Sequence, residues 1–465
     1  MAYTFTFDAT ACSGCKACQE ACKDKNGLPV GILWRRVIEV SGGEWHSRGS
    51  AWENSVFAYN LTLACNHCTH PKCAGVCPTE AYSVRPDGNV LLDQSKCMGC
   101  GYCAWACPYG APQYDPSQGV MTKCDFCYDN LDAGLPPNCV SACPLRVLNC
   151  GALEDPGTFK GGQDLWLLPA SQHPYPLPEY SRTEPHLSIK PHPGMNNQLD
   201  KTVSNREEIL PPGSFENDQG GAATHELPLV AFTLLAQMSV GIALCGVVVP
   251  SLPIQLQLMI GILLVIGISI SFLHLGRKRN AWRSVIHLKK SWLSREILMS
   301  GLFGIAWAAT TSWQWLRGGA ITHWPTAILG IGLIYSMTCV YNLRAVPGWN
   351  SWRTPVAFFL SAIVLGTLAT SLFKPDQRLF LITGLAMAAE LAIALTGSPA
   401  SGAFTKRLII ALLALGIIGA LLLAIFPQLL GLWLVALVFI SAMVEESLGR
   451  WQFYLQRTPF PNRSM

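Results

Sequence analysis

An α+β domain wrapped around metal clusters, fused to an all-α bundle of eight transmembrane helices, is the fold class that this 465-residue sequence predicts. Sixteen of its 19 cysteines fall in four tight groups ahead of residue 144, and long apolar runs dominate the chain after Glu226. A chain of this length exceeds one ordinary domain. Composition divides it in three: a cysteine-rich segment 1–155, a segment 156–225 rich in proline, glycine and polar residues, and an apolar segment 226–455. The formal net charge of +4 is small, and no basic, aromatic-studded patch points to nucleic acid.

The groups are Cys12-Cys15-Cys18-Cys22, Cys65-Cys68-Cys73-Cys77, Cys97-Cys100-Cys103-Cys107 and Cys124-Cys127-Cys139-Cys143. Disulfides are one use of such cysteines, but three features oppose them. The first group starts at Cys12, which leaves no room for the apolar core of a signal peptide, so none is expected. The cysteines recur as CxxC units with a fourth close behind, which is cluster spacing rather than loop stapling. A reducing cytoplasm also favours metal ligation in such motifs.

The third group, CMGCGYCAWACP, has the bacterial ferredoxin run C-x2-C-x2-C-x3-C-P without deviation. The first keeps that spacing with Lys23 in place of proline. The second puts four residues between Cys68 and Cys73, and the fourth puts eleven between Cys127 and Cys139. In such folds three close cysteines hold three corners of a cubane while the fourth reaches the neighbouring one. Four groups of four therefore predict four [4Fe-4S] clusters in two ferredoxin-like pairs. Zinc ribbons also use CxxC pairs, but the x2-x2-x3 cadence closed by proline is that of cubanes. No ligand position carries Trp, Asp or Ser, so no three-iron cluster is expected. Cys150 is left over and reads as a buried thiol.

The segments CSGCKACQEACKD, SVFAYNLTLACNHCTHPKCAGVCP, CMGCGYCAWACPYGAPQY and MTKCDFCYDNLDAGLPPNCVSACPLRVL resemble the electron-transfer subunit of dimethyl sulfoxide reductase-type molybdoenzymes across residues 3–150. The resemblance implies an α+β double dicluster ferredoxin-like domain with nested pairing. Cys12, Cys15 and Cys18 would share a cluster with Cys143, and Cys124, Cys127 and Cys139 with Cys22. Cys65, Cys68 and Cys73 would be completed by Cys107, and Cys97, Cys100 and Cys103 by Cys77. It also implies a separate catalytic partner subunit that holds molybdopterin. Residues 156–225 carry repeated prolines and no sustained period, as a flexible linker would. Within them, LPEYSRTEPHLSIKPHPG resembles the family's extended tail, which implies a docking segment ordered by the catalytic partner.

About 20 mostly apolar residues span a bilayer as a helix. Eight segments qualify, near 227–250, 255–275, 297–316, 325–343, 355–373, 379–396, 408–426 and 428–448, so both ends of the anchor lie on one side. Loops on that side carry Arg277, Lys278, Arg279, Arg283, Lys289, Lys290, Arg295, Arg344, Arg353, Lys406, Arg407, Arg450, Arg457 and Arg463; the other side has Arg317, Lys374 and Arg378. That excess of fourteen against three places the cysteine-rich domain on the cytoplasmic side of the inner (cytoplasmic) membrane by the positive-inside rule. The resemblance would instead imply export, led by the catalytic partner.

LHLGRKRNAWR, SWLSREIL, VYNLRAVPGWNSWRTP and EESLGRWQFY resemble the same family's membrane anchor, with Lys278 where proline is usual. The resemblance implies exchange with quinol, menaquinone or ubiquinone being the carrier, without haem. His274 at the end of the second helix and Glu296 at the start of the third share one side. A histidine hydrogen-bonds a quinol oxygen and a carboxylate takes a proton. Arg277 and Arg295 are expected to pair with lipid headgroups, the quinone or the carboxylate, although boundary residues also serve interfacial solvation alone. Tyr341, Asn342 and Arg344 at the end of the fourth helix are candidates for the same pocket. Glu390 lies well inside the sixth as an isolated carboxylate, a proton relay or a polar packing partner. Cys245 and Cys339 read as small packing residues. Haem is not expected, because only His225 and His274 share the correct side and both lie at the boundary.

A redox module joining the quinone pool to a molybdenum subunit is the function this pattern predicts, for S- or N-oxide reduction or for cytoplasmic sulfite oxidation. Proton or ion translocation and passive anchoring are the alternatives.

Overall fold

The structure is a computed structural model that describes residues 2–43, 45–152, 177–178, 182–193, 226–249, 252–317, 323–396, 403–426 and 431–456. Most of the proline-rich segment 156–225, with His225, Arg457 and Arg463, lies outside the described residues. The chain divides into two compact units, with the boundary between residues 216 and 217.

The first unit is built on strand Tyr3–Asp8, which alternates threonine and phenylalanine with the period of a strand. It is the middle of a three-stranded sheet, antiparallel to Leu148–Ala152 and parallel to Leu187–Lys190. Phe5 and Phe7 enter a core with Leu61, Leu63, Phe126 and Leu148, and Phe5 stacks on Phe126 at 4.0 Å between centroids. Four antiparallel hairpins complete the unit: Arg36–Gly42 with Phe57–Leu63, Trp45–Arg48 with Ala51–Asn54, Tyr82–Val84 with Val90–Leu92, and Gln113–Asp115 with Val120–Thr122. Their turns follow from local chemistry. Asp87 Oδ1 accepts from Asn89 N at 3.0 Å across a Gly88 at φ +79°, and Asp115 Oδ1 accepts from Ser117 N at 2.9 Å.

The strand Leu187–Lys190 corrects the expectation for the linker. This stretch of the supposed docking tail closes the sheet edge beside Tyr3–Asp8, with Phe7 opposite Ile189 and Lys190 Nζ 3.0 Å from Asp8 Oδ2. Pairing satisfies an edge that would otherwise stay open.

Short helices carry the cysteines: α1 (Ala17–Lys25), α2 (Lys72–Val76), α3 (Tyr102–Ala106), α4 (Tyr128–Asp132) and α5 (Asn138–Ser141). The second unit is eight long helices: α6 (Leu227–Val248), α7 (Ile254–Ser271), α8 (Trp292–Arg317), α9 (Trp324–Tyr341), α10 (Arg353–Ser371), α11 (Gln377–Thr396), α12 (Ala403–Ile425) and α13 (Gly431–Leu455). All but α8 combine the length and apolarity needed to cross a membrane. Helix α8 is 26 residues long but falls short in apolarity, because Ser300, Thr310, Thr311, Ser312 and Gln314 lie within it as well as Arg295, Glu296 and Arg317 near its ends. The protein is a multi-pass membrane protein. Helix α13 runs on to Leu455, so Arg450 is a buried helix residue and not a loop charge as expected.

Helix α6 is the most buried span and packs against α7 and α10. Its contact with α10 is made backbone to backbone at Gly241 and Gly366. A Cβ on Gly366 would overlap the Gly241 carbonyl carbon, and one on Gly241 would overlap Ala362 O. Small residues permit such close approach between membrane helices. Gly366→Ala is therefore expected to destabilise the bundle by about 1–3 kcal/mol through overpacking. Gly301→Ala on α8, where an added Cβ meets nothing within 4 Å, is expected to be neutral or stabilising. Thermal unfolding of the two variants in detergent checks the contrast.

Candidate functional site

The cysteine loops are shaped by residues that accept left-handed backbone. Lys16, Cys127, Gly14, Gly99 and Gly101 all have φ between +49° and +73°. At Gly14 a side chain is also excluded by space, since its Cβ would lie 2.6 Å from Asn60 Oδ1. The first two cysteines of each group lie in the loop, and the third sits on the helix that follows: Cys18 on α1, Cys73 on α2, Cys103 on α3 and Cys139 on α5.

The folded domain brings to three cysteines of one group a fourth cysteine from another group. Cys12, Cys15, Cys18 and Cys143 line one small pocket. Cys65, Cys68, Cys73 and Cys107 line another. Cys100 and Cys103 have Cys77 and Cys97 as electrostatic neighbours, while Cys22 has Cys127 and Cys139, and Cys124 has Cys22. Four soft sulfur donors converging on a cavity fit an iron–sulfur cubane.

Burial pushes the thiols up: Cys22 and Cys68 to about 12, and Cys127 to about 11. Each would stay protonated without a counter-charge, which iron supplies on ligation. Two buried cations already stand among them. Arg35 is 2% exposed, donates to Thr62 Oγ1 at 3.2 Å and lies over the Phe5 ring at 4.4 Å. Lys123 donates to the carbonyls of Val90 and Cys124. Burial works against the Lys123 charge, but the Cys65, Cys73 and Cys124 thiolates outweigh it and hold the ammonium above its ordinary value. Donors also meet the sulfurs: Ala81 N reaches Cys77 at 3.4 Å, Gly99 N and Met121 N reach Cys97 at 3.3 and 3.5 Å, and Phe126 N reaches Cys124 at 3.4 Å. Such bonds raise cluster potentials. Cys150 sits half-buried opposite Phe5 in the central sheet, its thiol pushed up to about 12 by burial.

Contacts between helix termini define one end of the bundle: the Tyr341 and Tyr454 hydroxyls join the ends of α9 and α13, Trp292 at the start of α8 meets Tyr335 of α9 edge-on, and Arg353 Nη2 at the start of α10 donates to Thr396 O at the end of α11. Glu296 is buried there, 4% exposed, in the first turns of α8. Tyr341 is buried at the end of α9, with its hydroxyl 2.5 Å from the Tyr454 hydroxyl, and Glu296 acts electrostatically on both. His274 closes a 3-10 turn after α7, its Nδ1 2.7 Å from Ser271 O. Arg277 opens the next 3-10 turn. Arg295 departs from its expected role: Nε and Nη2 donate to Leu288 O and Lys289 O at 2.8 Å, and the guanidinium stacks on Trp292 at 4.2 Å, so it braces the α7–α8 connection. Asn342 is exposed at the α9 C-cap, where its backbone N–H bonds Thr338 O.

Glu390 is not the isolated carboxylate that the sequence suggests. Glu445 and Glu446 of α13 bring carboxylate oxygens within 4.8 Å of it and of each other, with Arg450 beside them. The sequence hides those partners because EESLGR reads as the end of a helix. Two adjacent glutamates inside a 25-residue apolar helix are the signal that could have found them.

The cross-group placement makes a sharp prediction. Cys107→Ser should strip iron from the pocket of Cys65, Cys68 and Cys73, while Cys97, Cys100 and Cys103 keep theirs. Iron analysis with electron paramagnetic resonance of the reduced protein checks it; loss from the Cys97 set would mean pairing within groups.

Comparison with known proteins agrees with this division. A model of the 4Fe-4S dicluster domain matches residues 56–153, and one of the DMSO reductase anchor subunit matches residues 221–398. A polypeptide of the anaerobic dimethyl sulfoxide reductase of Escherichia coli (strain K12) is 42% identical over 209 residues, 44% of this chain and 98% of that protein. A subunit of the sulfite dehydrogenase of Allochromatium vinosum is 41% identical over 163 residues, 32% of this chain and 68% of that protein. The formate dehydrogenase iron–sulfur subunit of Wolinella succinogenes is 36% identical over 169 residues, 32% of this chain and 80% of that protein. The chain thus belongs to the dimethyl sulfoxide reductase family, as an electron-transfer iron–sulfur subunit continued on the same polypeptide by the DMSO reductase anchor.

Proposed function

We propose that this subunit passes electrons between the membrane quinone pool and a separate molybdopterin-bearing catalytic subunit. The observation that supports it is the coexistence of cysteine-lined cavities in one half with a buried carboxylate and tyrosine pair at one end of the membrane half. Four [4Fe-4S] clusters, held by the four cross-group sets of cysteines, would supply one-electron steps between a two-electron donor and a two-electron acceptor.

At the bundle end, His274 and Glu296 divide the work on a quinol. The Ser271 carbonyl holds the proton of the neutral imidazole on Nδ1, which makes Nε2 the acceptor for a quinol hydroxyl. Glu296, buried near Tyr341 and Tyr454, takes the second hydroxyl proton as general base. Arg277 belongs at the headgroup level, where it binds lipid or the quinone carbonyl. The charge asymmetry remains thirteen to three once Arg450 is removed from it, which supports the iron–sulfur half in the cytoplasm and the bundle in the inner membrane.

The likeness to the dimethyl sulfoxide reductase polypeptide over almost its whole length supports reduction of an S- or N-oxide as the terminal reaction. Sulfite oxidation is the second reading, favoured by the likeness to the sulfite dehydrogenase subunit together with that charge asymmetry. Sulfite added to the complex with its catalytic partner would bleach the clusters in the second case and leave them oxidised in the first. For the quinone role, a menaquinol analogue added to the oxidised full chain in nanodiscs is expected to bleach the clusters, about 10²-fold more slowly in His274→Ala and Glu296→Gln. Wild-type rates in both variants would leave these residues without a part in quinol chemistry.

A further inference from the structure

The quinol reading leaves a second group of ionisable side chains unused. Glu390 on α11 and Glu445 and Glu446 on α13 converge inside the bundle, and Arg450, one turn along α13, faces them. Against that one guanidinium, three ionised carboxylates would leave two negative charges uncompensated inside an apolar bundle. Such charge is disfavoured unless something closes the balance. Two protons would do so, and so would a metal cation.

The hydrogen bonding around the cluster favours protons. Glu446 Oε2 accepts from Ser361 Oγ at 2.7 Å, and Arg450 Nη2 donates to Gln237 Oε1 at 3.0 Å and to Ser361 Oγ at 3.4 Å. Buried without a hydrogen-bond partner are Glu390 Oε2, Glu445 Oε2, Glu446 Oε1, Arg450 Nε and Gln237 Nε2. Gln237 has no exposed surface and its amide faces Arg450. Oxygen acceptors and N–H donors are therefore orphaned together. A hard cation needs oxygens alone, whereas ordered water bridges donors to acceptors and carries protons between them.

The cluster and the candidate quinol pocket share electrostatic neighbours. Tyr454, one turn beyond Arg450, shares a hydroxyl hydrogen bond with Tyr341, and both feel Glu296 and Arg450. Glu226, at the start of α6, bears on Tyr454 as well. All these groups lie towards the same end of the bundle.

We propose that Glu390, Glu445 and Glu446, balanced by Arg450, form a proton-holding site that takes a proton released at the quinol pocket through the Tyr341–Tyr454 pair. This rests on the quinol reading of Glu296. In the step, quinol gives up two electrons, one at a time, to the iron–sulfur half and becomes quinone. Of its two hydroxyl protons one goes to His274 and one to Glu296. The Glu296 proton moves by way of the tyrosine hydroxyls to a carboxylate of the cluster, and from there to water at that end of the bundle.

The test uses the full chain with its clusters in nanodiscs, and Glu446→Gln and Tyr454→Phe, the latter keeping the ring packing intact. Infrared difference spectra after a pH jump, taken without quinol, should show a protonated-carboxyl band that shifts in D2O and is lost in Glu446→Gln. Bleaching by a menaquinol analogue should slow roughly tenfold in both variants, with a larger solvent isotope effect and unchanged affinity for a quinol-site inhibitor. Wild-type bleaching and isotope effect in both variants overturn the relay. Absence of the carboxyl band, or stoichiometric uptake of sodium, calcium or manganese lost in Glu446→Gln, overturns proton holding. If wild type fails to bleach, the quinol reading falls by itself, and the infrared band still decides whether the cluster holds protons.

Discussion

Charge shut away from water must be met by opposite charge or removed by a proton, and both halves of this chain are organised by that requirement. In the amino-terminal half the charges are thiolates. Burial favours the thiol form of Cys12, Cys18, Cys68, Cys73 and Cys107, and a bound metal would supply the positive charge that their two cavities otherwise lack. Arg35 and Lys123 stand between thiols of different groups, where their charge bears on more than one site. They tie Phe5, Thr62 and the Val90 strand to the positions of those cysteines, so the small core and the metal pockets hold one another in place. In the membrane half the charges are carboxylates, and Arg450 plays the matching part, its guanidinium 3.8 Å over the Phe358 ring.

Much of this is legible in the sequence because it is local. A cubane needs three thiols within one tight turn, so CxxCxxC declares itself over seven residues. A bilayer needs about 20 apolar residues in one run, and eight long helices stand where the sequence places eight such runs, although α13 extends seven residues past its expected end. What escapes is long-range. Glu390 and Glu446 are 56 positions apart on different helices, and nothing in either neighbourhood names the other. Leu187–Lys190 reads as part of a proline-rich tail until its parallel pairing with Tyr3–Asp8 is seen. Arg295 resembles a headgroup ligand by position alone; its bonds to Leu288 O and Lys289 O depend on how the α7–α8 connection folds back.

Carrying both parts on one polypeptide changes the physics of their association. Two separate subunits meet at a rate set by their concentrations, while a tether makes the encounter intramolecular at an effective concentration set by linker length. The close likeness to the dimethyl sulfoxide reductase polypeptide covers 44% of this chain, and the anchor likeness begins at residue 221. The linker can therefore be tolerant in sequence, because its reach and not its side chains fixes that concentration. One-to-one stoichiometry of the two parts follows from the covalent bond.

Electrons and protons require different materials, and the two halves of the chain are built of different ones. Sulfur and iron conduct electrons and hold no mobile protons, so the cysteine cavities are closed by apolar residues such as Phe7, Val37 and Leu148. Carboxyls, hydroxyls and water can conduct protons, and the bundle buries Glu296, Tyr341, Tyr454 and the glutamates of α11 and α13. The proposed quinol chemistry would need both routes at once, since each electron a quinol loses makes its hydroxyl proton more acidic. An anchor with no part in redox chemistry would be stabler with leucine in place of every buried glutamate, because each carboxylate costs burial energy that only a partner or a function offsets.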